Sequence, residues 1–104
     1  MKKKFYDYQA EWGETYKLSI EKETYANNGT LALILVEKSG EPFADITVNL
    51  PFSELDEDEA YVDTNNLPNI GKWLEANKIA KKTEIVGHSG YCTYPVYKFD
   101  LKKV

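Results

Sequence analysis

Residues 16–20 alternate strictly, with Tyr16, Leu18 and Ile20 apolar and Lys17 and Ser19 polar. A period of two marks a half-buried strand. Asn28-Gly29 follows, a dipeptide suited to a two-residue hairpin turn because both central positions of such a turn take positive φ. Residues 31–36 (LALILV) are apolar throughout, as in a central strand. Ser39-Gly40 supplies a second turn, and residues 43–50 alternate again.

The two turns agree in register. Each puts Leu31, Leu33 and Leu35 on the face that carries Leu18 and Ile20, and the second sets Leu35 opposite Ala44, Leu33 opposite Ile46 and Leu31 opposite Val48. A one-residue slip would move every side chain to the other face. The pattern therefore predicts a three-stranded antiparallel meander. Its second face, with Ala32, Ile34, Val36 and Phe43, is too apolar to meet water alone. Its cover is either the aromatic N-terminal segment, with Phe5, Tyr6, Tyr8 and Trp12, or another chain.

Pro51 ends the third strand, and residues 52–59 (FSELDEDE) read as an exposed acidic connection. A short strand over residues 60–63 comes next. Asn66 then reads as a helix N-cap with Pro68 in the first turn, where a missing N–H costs little. Leu67, Ile70, Trp73 and Leu74 form one stripe, and the helix is expected to end near Asn77-Lys78. This amphipathic helix and the leucine face need each other. Residues 85–86 and 91–101 form a last hairpin, in which Pro95 calls for an edge or a bulge. The expected architecture is α+β: a three-stranded meander plus a C-terminal hairpin, with one helix packed on the sheet, in the order β-β-β-(β)-α-β-β.

Length and charge narrow the functional classes. A chain of 104 residues makes one domain that buries about two thirds of its unfolded surface, which argues against a deep enclosed active site. All thirteen basic residues are lysine and the net charge is −4. Without the guanidinium fork that reads guanine edges and clamps phosphates, direct nucleic-acid binding is not expected. A single cysteine fits a reducing compartment, here the cytoplasm. No apolar run approaches the roughly 18 residues of a membrane span.

The only histidine and cysteine lie together in "GHSGYCTYP" (residues 87–95). With Ser89-Gly90 as the loop, His88 pairs with Tyr91 and Cys92 with Gly87, so imidazole and thiol point to opposite faces. A nucleophile and its base must meet within about 3 Å. No enzyme is read here. Nor is a metal or cofactor site: structural zinc takes about four ligands, and the acidic run fails the calcium-loop pattern, with Tyr61 at the required glycine and Leu67 at the bidentate glutamate. Asp63-Thr64-Asn65-Asn66 fails it as well.

What remains are surfaces. Tyr91, Tyr94 and Tyr97 with Asp63, Asn65 and Asn66 make a candidate surface for a protein partner, since aromatics anchor interfaces. Glu54, Asp56, Glu57, Asp58 and Glu59 make a candidate acidic patch that would imitate a phosphate backbone toward a nucleic-acid-binding or defence protein. Self-association through an edge strand of the last hairpin is a further reading.

The stretches "YANNGTLAL", "PFADITVNLP", "AYVDTNNLP" and "GHSGYCTYPVYKF" resemble a family of short bacterial proteins catalogued as a domain of unknown function. The resemblance spans nearly the whole chain, with "VDTNN" and "SGYCTYP" its most specific parts. It implies an origin in gut Gram-positive bacteria, among genes of conjugative or transposable elements, and assigns no activity. An accessory protein of mobile DNA is the expectation.

Overall fold

In a computed structural model of the chain, residues 4–26, 29–50 and 55–104 are described. The leucine face forms as its alternation requires, within a meander of four strands: β1 (Tyr6–Gln9), β2 (Thr15–Thr24), β3 (Leu31–Glu37) and β4 (Pro42–Asp45), in spatial order β1-β2-β3-β4. Ile20 stands opposite Leu35 and Thr24 opposite Leu31. The parity is as expected, but the first loop is longer. The Tyr25 N–H donates to Thr30 O at 2.9 Å, so the ladder closes outside the two-residue Asn28-Gly29 turn, in which Asn28 lies outside the described residues.

The additional strand is the aromatic N-terminal segment. Tyr6 and Tyr8 alternate with Asp7 and Gln9, and pairing with β2 sets Tyr6 against Leu18 and Tyr8 against Tyr16. Both tyrosines are buried on the leucine face rather than lying over the second one. Phe43 joins them there. A bulge at Leu35/Val36 pairs Leu35 with Ala44 and Val36 with Pro42, leaving Phe43 to turn inward, 6.0 Å from the Tyr8 ring and 4.9 Å from that of Tyr16. Ala32 and Val36, on the second face, are buried all the same.

The expected third strand breaks in two at Ile46. Its N–H donates to Leu33 O at 2.9 Å, in the first sheet, while its carbonyl accepts Asp63 N–H at 2.8 Å, in a second. The fully buried Ile46 is thus the corner between the sheets. Beyond it, β5 (Thr47–Val48) pairs with β6 (Glu59–Val62), so that Val48 faces Tyr61 rather than Leu31. The Thr47 hydroxyl fixes the corner by accepting Leu33 N–H at 3.1 Å. The second sheet is completed by β7 (Ala80–Ser89) and β8 (Cys92–Phe99), in spatial order β5-β6-β8-β7. The domain is mainly antiparallel sheet, two sheets of four strands with one short helix.

That helix, α1 (Ile70–Ala76), starts later than expected. Asn66 is not its cap. Asp63 heads the preceding turn instead, accepting Leu67 N–H at its carbonyl (3.0 Å) and Asn66 N–H at Oδ1 (3.2 Å). At the other end Ile79 N–H reaches Leu74 O (2.9 Å) and Lys78 N–H reaches Glu75 O (3.0 Å). These two bonds close the helix with Lys78 at φ +57°, a Schellman cap built without glycine. The main core lies between the helix and both sheets, from Leu18, Leu33 and Leu35 to Val62, Ile70, Leu74 and Phe99. Trp73 binds helix to β1: its indole N–H donates to Asp7 O at 2.7 Å, and its ring meets those of Tyr6 and Tyr8 edge-on. A smaller core of Leu50, Tyr61 and Val96 lies on the outer face of the second sheet.

Candidate functional site

The last hairpin is longer than its apolar run announces, because Ala80 and the polar residues 81–84 also belong to β7. Its tip turns at Gly90-Tyr91. Ser89 pairs with Cys92, His88 with Thr93 and Gly87 with Tyr94. Gly90 has a φ of +61° and Tyr91 has none of the positive kind. That is the pattern of a type II′ turn, which wants glycine first and therefore moves the turn one residue past Ser89-Gly90. His88 and Cys92 still occupy neighbouring pairs, so they point to opposite faces. The imidazole meets Thr93 Oγ1 through Nδ1 at 3.2 Å.

Pro95 fits this register. Bonded pairs alternate in an antiparallel ladder, so a closing Ser89–Cys92 pair leaves Val86–Pro95 unbonded, with the proline nitrogen directed at β6. The β6–β8 ladder ends one residue away, at Tyr61–Val96. No bond is lost. The strand of Pro95 is not an edge, since β8 lies between β6 and β7, and the extra residues are in its partner β7, between Lys82 and Val86. There Thr83 Oγ1 donates to Val96 O at 2.8 Å and accepts Ile85 N–H at 3.1 Å.

Tyr94 and Cys92, two apart on one face, meet the turn after β6. The Tyr94 phenol is held above the ordinary tyrosine range, chiefly by its hydrogen bond with the Cys92 thiol, then by desolvation and the Asp63 carboxylate, against an opposing hydrogen bond from Asn65. Asp63 is buried, and its Oδ2 accepts Asn66 Nδ2 at 2.8 Å. Gly87 lets the hairpin lie this close: a Cβ there would overlap the Tyr61 ring and come within 2.8 Å of Leu50. Asp63, Asn65, Asn66 and Tyr94, far apart in sequence, thus form one polar and aromatic patch. Tyr91, fully exposed, stands at the hairpin tip.

Tyr97 does not belong to this surface. It lies on the opposite face of β8, buried in the main core over Gly71. Cys92 replaces it in the patch. The odd spacing from Tyr94 carried that signal, since three residues along a strand reverse the face.

The acidic run divides. Glu54 lies outside the described residues. Asp58 pairs with Lys98 at 3.1 Å, and Glu59 Oε1 accepts Asp56 N–H at 2.9 Å, so both serve the turn into β6. Asp58 in turn holds the Lys98 ammonium above its ordinary range. Asp56 and Glu57 are exposed. An open depression of about 870 Å³ gathers Lys78, Lys81, Lys82 and Lys98 beside Glu75 and Asp100, so lysines scattered in sequence do meet, with carboxylates among them. Among the described residues no group of three or more His, Cys, Asp or Glu is placed to hold a metal ion. No helix there is long and apolar enough to cross a membrane.

A two-sheet antiparallel domain with a polar and aromatic patch beside its last hairpin defines a small, mainly β class of protein. The chain belongs to the family described as "Domain of unknown function (DUF4313)", whose model matches residues 18–104. That match takes in the patch and the whole second sheet. No match is found among curated proteins or among solved structures.

Proposed function

We propose that the chain is a non-enzymatic accessory module of bacterial mobile genetic elements, working in the cytoplasm by holding a protein partner against its hairpin tip. The observation that carries this reading is the buried Asp63 that holds Asn66 at 2.8 Å in the turn after β6, set beside the Tyr94 end of β8 by the β6–β8 ladder and near the fully exposed Tyr91. An aromatic anchor beside a buried carboxylate that is bonded to an exposed amide resembles the centre of protein interfaces, where a few rigid side chains carry most of the energy. Such a patch needs no run of like charges, and Asp63 is the one carboxylate in it.

An acidic mimic of nucleic acid is the competing reading. It has less support, because Asp58 and Glu59 are engaged within the chain and Asp56 and Glu57 are left as the exposed described members of the run. Variants separate the two. Tyr91→Ala and Tyr94→Ala should each lose a captured partner while keeping the far-UV circular dichroism of the parent. Asp56→Asn with Glu57→Gln should keep that partner. The reverse pattern would favour the mimic.

A further inference from the structure

We propose that two copies of this chain pair antiparallel along the outer edge of β7, across a two-fold axis through Val86. This goes beyond the hetero-partner reading and rests on the backbone edge of β7, which runs up to the hairpin tip. β7 is an edge strand, flanked by β8 on one side only. Bonds in the hairpin alternate outward from the closing Ser89–Cys92 pair, so Ser89 and Gly87 bond to β8 while the N–H and C=O of His88 and Val86 point away from it. An edge of this kind is a template for another strand.

Edges are normally blunted by lysine, proline or a bulge. In β7 these devices are confined to its lower half, with Lys81 and Lys82 below the bulge that separates Lys82 from Val86. The arm above it carries no such device. Val86 there is 50% exposed and Ile85, the last residue of the bulge, 46%, apolar surface of the kind a partner strand would cover.

Self-pairing also selects a register. A two-fold axis between antiparallel strands must set one residue opposite its own copy. With Val86 at that point, Glu84 faces His88 of the second copy, and the same pair recurs across the axis. The long Glu84 side chain, exposed on the bulge, spans the roughly 5 Å between cross-strand neighbours. Thr93 occupies Nδ1 of His88, leaving Nε2 for the carboxylate. Axes through Ile85, Gly87 or His88 set Glu84 opposite Val86, Gly90 or Cys92 and leave it without the imidazole as a hydrogen-bonding partner. The Val86 register sets Lys82 against Gly90, away from any cation.

Sedimentation equilibrium of the full chain from micromolar to near-millimolar concentration tests this. The parent should associate reversibly to a dimer. Val86→Lys, Glu84→Lys and His88→Glu, all at exposed positions, should each weaken the dimer about tenfold or more, given about 1 kcal/mol per cross-strand pair, with the Glu84–His88 pair made twice and Val86→Lys setting two ammonium groups face to face on the axis, while circular dichroism is unchanged. Mixing Glu84→Lys with His88→Glu should restore association, because each copy then offers the charge the other lacks at both pairs. A parent that stays monomeric throughout, a dimer indifferent to Val86→Lys, or singly substituted chains that fail to recover on mixing would overturn the proposal.

Discussion

The Tyr97 hydroxyl occupies the space in which a Cβ on residue 71 would stand. Glycine inside a seven-residue helix costs about 1 kcal/mol relative to alanine, and this contact explains its presence. The helix lies so close to β8 that backbone, not side chain, meets the tyrosine.

Gly71→Ala should therefore destabilise the domain despite the better helix propensity. Overpacking of about 1–3 kcal/mol outweighs or cancels the gain of about 1 kcal/mol. In a Tyr97→Phe background, where the hydroxyl is gone, the same substitution should cost markedly less. Urea denaturation of the four proteins of the cycle measures the difference, which should be at least about 1 kcal/mol for groups in direct contact.

Tyr6 buries its hydroxyl without a hydrogen-bond partner. An unsatisfied buried polar group costs about 1–3 kcal/mol, so Tyr6→Phe should raise stability by about 1 kcal/mol. The apolar body and its edge-on contact with Trp73 are retained.

Alkali should act on the same core. Desolvation raises the Tyr6 phenol above its ordinary value, aided by Asp100, and desolvation does the same for Tyr8 and Tyr97, aided by Glu11 and Glu75. The folded state thus favours the neutral phenol. Its contribution to stability is complete below the unfolded value near 10 and is lost as pH rises through the higher folded values. Denaturation midpoints should be level from neutral pH to about 9 and fall above 10, less steeply in Tyr6→Phe.

Lys78 closes the helix in a left-handed conformation, at φ +57°. A side chain there costs about 1–2 kcal/mol that glycine avoids. Lys78→Gly should stabilise the domain by about 1 kcal/mol, read as a higher urea midpoint with an unchanged slope.

How much of this was legible in the sequence depends on which force set each element. Leu18, Ile20, Leu31, Leu33 and Leu35 fall on one face because side-chain parity survives a change in loop length by two residues, and the Asn28-Gly29 register differs from the observed one by that amount. Tyr6-Asp7-Tyr8-Gln9 alternates as a strand does, but its aromatics also read as loose cover. The break at Ile46 leaves no trace in the pattern. Alternation continues across it, and only the bonding partner changes, from Leu33 to Asp63.

The site was legible in part for similar reasons. Asp63, Asn65 and Tyr94 stand in one candidate surface because polar turn residues and aromatics suit an interface, and the neighbouring β6 and β8 are what bring them together. Tyr97 shares its aromatic character with Tyr91 and Tyr94, but its parity along β8 differs from that of Tyr94 and puts it in the core. Cys92 gives no such signal, because a lone thiol reads as a small buried hydrophobe, whereas it is half-buried on the face of Tyr94.

The most direct test of the functional account is capture by the tagged full chain from lysate of the cells that encode it, after nuclease treatment, with elution through a salt gradient. The account predicts a protein partner that survives nuclease, stays bound at high ionic strength, and is absent when Tyr91→Ala and Tyr94→Ala are combined. A partner released at moderate salt and lost with Asp56→Asn and Glu57→Gln, or no partner at all, would contradict it.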